Sequence, residues 1–306
     1  MPESLANRLA ENVGRVVLGK PEAVHLTIVT LLSGGHLLIE DRPGVGKTLL
    51  ARALARSLDL PYQRLQCTAD LLPADVIGAH VYEPGTGALR FQPGPVFTSV
   101  LVADELNRTP PRTQSALLEC LAEGSVTVDR ETRPLPEPFF VIATQNPTTS
   151  AGTYPLPDSQ LDRFLMRIAL GYPGTADEMH IVAREDGHRT LEEIEPIADA
   201  AALLEARRQV RSVTLHEDLL RWIVALAKRT RELPEISVGV SSRGAQALHR
   251  ACRARAALQG RGFVVPDDVL TLVAPVFGHR ISTRSGGSDA THAILAEILH
   301  TVPGPD

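Results

Sequence analysis

Short apolar runs alternate with amphipathic stretches through the first half of the chain. His36–Ile39, Tyr62–Cys67, Val100–Ala103, Phe139–Ala143 and Phe164–Leu170 are aliphatic or β-branched and bounded by turn residues. That pattern predicts strands, and the helical spacing between them predicts a parallel α/β sheet. From about Ala176 the periodicity becomes almost wholly helical. Leu219, Ile223, Val224 and Leu226 are expected to line one helix face, and Ala245, Leu248, Ala251 and Cys252 another. The turn Gly171-Tyr172-Pro173-Gly174 separates the two patterns, dividing the chain into an α/β domain at 1–174 and a helical domain at 175–306.

Local signals sharpen this outline. Thr109 is a candidate N-cap, Pro110 suits a first helical position, and Gly124 stands where a left-handed terminal residue is wanted; Leu117, Leu118 and Leu121 supply the apolar face between them. His80–Tyr82 and Ala88–Phe91 flank Glu83-Pro84-Gly85-Thr86-Gly87 as a hairpin. Ser125–Val128 and Thr132–Leu135 flank Asp129-Arg130-Glu131 as a second one. A minimal nucleotide-binding sheet requires neither, so both are expected to serve partner contact or substrate handling.

Composition narrows the function classes. With 306 residues, 43% of them hydrophobic, the chain can bury a large core, and a net charge of -5 gives no global bias toward nucleic acid or anionic lipid. Cys67, Cys120 and Cys252 are scattered without metal-ligand spacing, which predicts reduced, buried thiols in a cytoplasmic protein. The N-terminus begins no signal-peptide pattern, and no apolar run is long enough to span a bilayer. The histidines show no ligand spacing, so His36 is read as a residue leading into a strand.

The chemistry gathers at strand ends. Asp41-Arg42-Pro43-Gly44-Val45-Gly46-Lys47-Thr48 follows an apolar strand and opens a helix beginning with Leu49. A phosphate-binding loop needs that context, because the backbone N–H groups at the helix start then face an anion. Asp41, Pro43, Gly44, Val45, Gly46 and Leu49 would shape the loop, Lys47 would reach the terminal phosphates, and Thr48 would place its hydroxyl on Mg²⁺. Val100-Leu101-Val102-Ala103 ends in Asp104 and Glu105. Carboxylates at the end of a buried strand need partners: Asp104 would hold Mg²⁺, and Glu105 would polarise the attacking water. Asn146, ending the next apolar strand, can bridge the γ-phosphate and that water. Arg163 is too far along the sheet to serve its own loop and is assigned to a neighbouring subunit, against the alternative of an ion pair with Asp162 or another local acid. Arg243 sits in a first helical turn, where a cation is disfavoured unless an anion lies nearby.

These elements, in this order, resemble the MoxR family of AAA+ ATPases. The resemblance extends to Gly35–Asp41, Asp70–Gly78, Ala103–Pro111, Thr113–Glu119 and Ala143–Pro147, and it covers the chain from about Val16 to about Val269. That family commonly lacks the first glycine of the phosphate loop, which accounts for Asp41. The resemblance implies Walker A at Lys47 and Thr48, Walker B at Asp104 and Glu105, sensor 1 at Asn146, the arginine finger at Arg163 and sensor 2 at Arg243. It also implies that the two hairpins are inserts able to face a ring's pore. Sensor 2 reads Ser241-Ser242-Arg243-Gly244 where Ser-Pro-Arg-Ala is more usual, and whether Arg243 serves its own nucleotide or a neighbour's stays open.

The implied fold is a P-loop α/β domain followed by an all-α lid. The implied function is ATP hydrolysis in a homo-oligomeric ring, a hexamer, driving chaperone-like remodelling of partners, often proteins with a von Willebrand factor A domain. A metal-chelatase-type motor subunit is the nearest alternative. A nucleotide-gated scaffold with little turnover is another, and Glu105 and Asn146 weigh against it. The hairpins carry Glu83, Arg90, Asp129, Arg130, Glu131 and Arg133, a mixed set that predicts no nucleic-acid track.

Overall fold

A computed structural model describes residues 2–41, 44–85, 87–146, 152–183, 191–284 and 288–305. Its first part carries strands β1 (Leu37–Glu40), β2 (Tyr62–Gln66), β3 (Gly78–Glu83), β4 (Ala88–Pro93), β5 (Val100–Asp104), β6 (Ser125–Val128), β7 (Glu131–Pro134), β8 (Phe140–Gln145) and β9 (Met166–Ile168). Five of them form one sheet in the order β2-β5-β8-β1-β9, and all neighbours run parallel. The predicted strands form within about two residues of their expected ends.

Burial explains the composition of the middle strands. β5 and β8 are buried at every position, as strands covered on both faces must be. Alternate side chains enter opposite layers. Leu37, Ile39, Val102 and Ile142 pack with helices Pro2–Gly14, Pro21–Leu32 and Lys47–Ser57. Leu38, Leu101, Val141 and Ala143 pack against Leu117, Leu118 and Leu121 of helix Pro111–Glu123. The first layer continues beyond the sheet: Leu226, Leu248, Leu272 and Ile298 of the C-terminal helices join the same buried cluster.

The C-terminal part contains helices Thr175–Ala183, Ala200–Arg211, Glu217–Glu232, Ser242–Leu258, Pro266–Phe277 and Ser288–Thr301. A short antiparallel pairing of Ile236–Val238 with Ser282–Thr283 interrupts the expected helical run. Two further expectations are corrected. Helix Pro111–Glu123 starts one residue later than predicted, with Pro110 in the cap position. The Thr109 hydroxyl instead donates backward to Leu106 O at 2.7 Å, closing the preceding 3-10 turn. Gly124 does take the left-handed conformation, φ 60°. Val224 is 52% exposed, because Leu219, Ile223 and Leu226 already define the buried stripe and position 224 lies about 100° round the helix from 223.

Both inserted hairpins form, with Thr86 outside the described residues. Asp129 and Arg130 make a two-residue turn with φ of 49° and 73°, the geometry that matches strand twist. The two hairpins are stapled to each other. His80 Nδ1 lies 2.7 Å from Asp129 Oδ2, and the Arg133 guanidinium stacks 4.3 Å over the Phe91 ring.

His36 leads into β1 as a buried, fully bonded residue. Val141 N–H donates to its Nδ1 at 3.1 Å, so Nε2 carries the proton and donates to Leu121 O at 3.2 Å. Burial pushes its pKa down to about 4. The unfolded chain takes up this proton near pH 6.5, so the stabilisation is complete above that pH and drains as pH falls toward 4. The loss is roughly 3 kcal/mol. His36→Gln is expected to flatten this part of the acid limb, measured as urea midpoints between pH 7 and pH 4. An unchanged slope would assign the acid loss to other groups.

Candidate active site

The loop between β1 and helix Lys47–Ser57 turns on glycines. Gly44 and Gly46 have φ of 83° and 95°, a region in which residues with a Cβ are strained. Gly46 is the helix N-cap. Lys47 is only 9% exposed, and its Nζ donates to Asp41 O at 2.6 Å. Desolvation lowers its pKa, opposed by the nearby charges of Asp41, Asp104 and Glu105. Pro43, expected in the same loop, lies outside the described residues.

Asp41 explains how the loop manages without a first glycine. Its Oδ2 accepts from the backbone N–H of Leu170 at 2.8 Å and of Gly171 at 2.6 Å. The carboxylate therefore ties the loop to the chain leaving β9, while the Asp41 carbonyl holds Lys47.

The strand ends converge beside this loop. Asp104 is 6% exposed; Thr48 Oγ1 donates to its Oδ2 at 3.1 Å, and Arg64 Nε donates to the same oxygen at 2.7 Å. Glu105 adopts φ 58°, ψ 47°, a left-handed conformation uncommon for a side chain of its kind. Its N–H donates to Thr144 Oγ1 at 2.9 Å. Its carboxylate accepts from Asn146 Nδ2 at 3.0 Å and pairs with Arg108 Nε at 2.9 Å. Asn146 Oδ1 is buried and has no partner among the described residues, an orphan acceptor within the cluster.

Two cavities flank the loop. One of about 500 Å³ is lined by Gly46, Lys47, Thr48, Asp104, Glu105 and Asn146, and also by Gly44 and Leu49. Another of about 800 Å³ lies between Gly19 and Lys20, Asp41, Leu170, and the C-terminal helices at Pro275 and His292. Arg163 and Arg243 line neither. Arg163 Nη1 donates to Leu118 O at 2.6 Å, and Arg243 is exposed in the first turn of helix Ser242–Leu258. The alternative ion pair of Arg163 with Asp162 does not form: Asp162 is bonded to Arg280 and Ser241 instead.

Sequence reasoning missed Arg64, Thr144 and Arg108. Arg64 sits on edge strand β2, paired with β5, and nothing in its neighbours along the chain shows which strand it will face. Thr144 was visible as a polar residue within an apolar strand, two positions before Asn146. No cluster of three or more His, Cys, Asp or Glu with metal-holding geometry occurs among the described residues. Thr48 and Asp104 instead offer one hydroxyl and one carboxylate, a donor set that suits a Mg²⁺ also held by substrate phosphates. Cys67, beside this cluster, is a buried free thiol, and burial together with Asp104 and Glu105 pushes its pKa up to about 12.

Comparison with known proteins places this geometry in context. The ATPase family associated with various cellular activities (AAA) matches residues 36–166, and the AAA lid domain matches residues 228–298. The uncharacterized protein YeaC of Bacillus subtilis is 41% identical over 98% of this chain and 95% of its own length. Chaperone MoxR1 of Mycobacterium tuberculosis is 37% identical over 96% of this chain and 80% of its own. The crystal structure of a candidate ATPase from Cytophaga hutchinsonii superposes with a TM-score of 0.90 at 35% identity, covering 100% of this chain and 97% of that one.

Proposed function

Because this chain belongs to the MoxR family of AAA+ ATPases, we propose that it hydrolyses ATP within a hexameric ring of its own copies and uses the resulting motion to remodel or mature partner proteins. The observation that carries the reading is the meeting of Lys47, Thr48, Asp104, Glu105 and Asn146 around one cavity. Lys47 and the N–H groups of the glycine loop would bind the phosphates, with the nucleoside in the larger neighbouring cavity. Thr48 and Asp104 would hold Mg²⁺, which supplies charge neutralisation to the phosphate oxygens. Glu105 would take the proton of the attacking water, and Asn146, with its orphan acceptor, would orient that water. We divide the chain into a nucleotide domain at 1–174 and a lid at 175–306, so that the larger cavity lies between them.

Arg163 would act on a neighbour's nucleotide, since it is tethered to helix Pro111–Glu123 and lines neither cavity of its own subunit. The chaperone name of the mycobacterial relative supports work on proteins. The expectation of a partner with a von Willebrand factor A domain rests on family resemblance alone. No helix among the described residues is long and apolar enough to cross a membrane. We place the ring in the cytoplasm, a reducing compartment suited to three free cysteines.

The test is ATP turnover per subunit over a wide range of protein concentration. A shared active site predicts specific activity that climbs to a plateau as subunits assemble. Specific activity that stays flat down to concentrations where the protein is monomeric by light scattering would overturn the ring mechanism.

A further inference from the structure

Asp162 precedes Arg163 and is gripped from the C-terminal helices by two donors. Arg280 Nε donates to its Oδ1 at 2.7 Å, and Ser241 Oγ donates to its Oδ2 at 2.9 Å. Ser241 is also the N-cap of the helix that carries Arg243, accepting from Gly244 N–H at 3.2 Å. Arg280 is 5% exposed and donates as well to the carbonyls of Asp162, Phe164 and Leu165. It therefore encloses the backbone on both sides of Arg163. Ser282 Oγ adds a bond to Asp158 Oδ1 at 2.9 Å.

The same segment is held from the opposite side. Arg163 Nη1 donates to Leu118 O at 2.6 Å, and Gln160 Nε2 donates to Ser115 Oγ at 3.1 Å; both acceptors lie on helix Pro111–Glu123, which begins just beyond Glu105. Arg163 Nε is buried with no partner among the described residues. Residues 158–165 thus form a bridge whose one side is the carboxylate-bearing domain and whose other side is the lid.

An independent feature shows that the bridge is built into this sequence. A Cβ at Gly244 would lie 2.6 Å from Val240 Cγ1 and 2.7 Å from Arg280 Cδ. Gly244 stands where the family resemblance expects alanine, and the Arg280 side chain passes through the space that the missing methyl leaves.

We propose that Asp162 is a positioning residue that transmits the orientation of the lid to Arg163, so that each subunit's lid sets the arginine offered to the next subunit. The proposal rests on the reading of Arg163 as acting on a neighbour. Asn at position 162 keeps the shape but removes the charge that holds the buried Arg280 guanidinium, and a buried cation without its partner relocates or drags the backbone with it.

The experiment compares Asp162→Asn, Arg163→Ala and Gly244→Ala in the full chain, each alone and mixed with Glu105→Gln subunits, which keep their own arginine. Asp162→Asn is expected to lose about 100-fold in turnover, the cost of a misplaced group, with ATP affinity unchanged. Mixing with Glu105→Gln is expected to restore turnover, because those subunits supply a correctly placed arginine to the intact sites. Gly244→Ala, which displaces Arg280 and spares Asp162, is expected to behave likewise more weakly, and it decides the matter if Asp162→Asn does not fold. Turnover of Asp162→Asn within about twofold of native beside an inactive Arg163→Ala would overturn the positioning role and leave the arginine's own role standing. A loss in folded, ring-forming Asp162→Asn that mixing fails to restore overturns it too. Native-like turnover in Arg163→Ala would remove the trans-acting reading and this proposal with it.

Discussion

Glu105→Gln is expected to lower ATP turnover by about 10²- to 10⁴-fold, the usual worth of a general base, while leaving ATP binding intact. The geometry makes this substitution a clean one. The Glu105 backbone is fixed in its left-handed conformation by the bond from its N–H to Thr144, and the one amide oxygen of Gln can still accept from Asn146 Nδ2, at the cost of the ion pair with the half-exposed Arg108. The groups proposed to grip nucleotide, Lys47, Thr48 and Asp104, keep the bonds from Lys47 Nζ to Asp41 O and from Thr48 Oγ1 to Asp104 Oδ2. The measurement is single-turnover hydrolysis beside equilibrium binding of a fluorescent ATP analogue. Turnover within a few-fold of native would show that another group activates the water. Lost binding would mean that Glu105 shapes the phosphate site rather than the water.

Arg163→Ala is expected to reduce turnover further, by about 10³- to 10⁵-fold, the range for an arginine supplied across an interface. Its ATP affinity is expected to stay near native, because Arg163 lines neither cavity of its own subunit. The loss should appear only in assembled protein. Dilution to monomers should bring native and variant to the same low rate, since neither then has a neighbour's arginine. A variant that loses turnover equally at every concentration would place Arg163 in its own site, despite the bond that ties it to Leu118.

Some of this molecule was legible along the chain because the controlling interactions are local. Lys47 and Thr48 follow their strand and glycines within one turn of chain, so the phosphate loop reads directly. Asp104 and Glu105 announce themselves as charges ending an apolar run, and buried charge is costly wherever it falls. Gly124 needs only its own helix to require a positive φ. Val224 was misread because a valine satisfies a helical apolar pattern whether or not its side of the helix meets a neighbour.

Asp41 shows where local reading stops. Its place in the loop was plain, but its carboxylate acts on Leu170 and Gly171, brought near by the pairing of β1 with β9. Arg64 meets Asp104 through the pairing of β2 with β5, and His80 meets Asp129 across two hairpins. None of these partners could be chosen from side-chain type, since each arginine or carboxylate had many equivalents.

The sequence alone thus determined that the chain forms a parallel α/β sheet with a phosphate loop, a carboxylate pair and a polar strand end, followed by helices. Periodicity, turn chemistry and the cost of burying charge operate over a few residues, and each leaves its mark in order. Only the tertiary structure decided that the sheet runs β2-β5-β8-β1-β9, that Arg163 is tethered to Leu118, and that Asp162 belongs to Arg280, 118 residues away. Those choices depend on which distant surfaces bury one another, and that is settled by the packing of the whole chain.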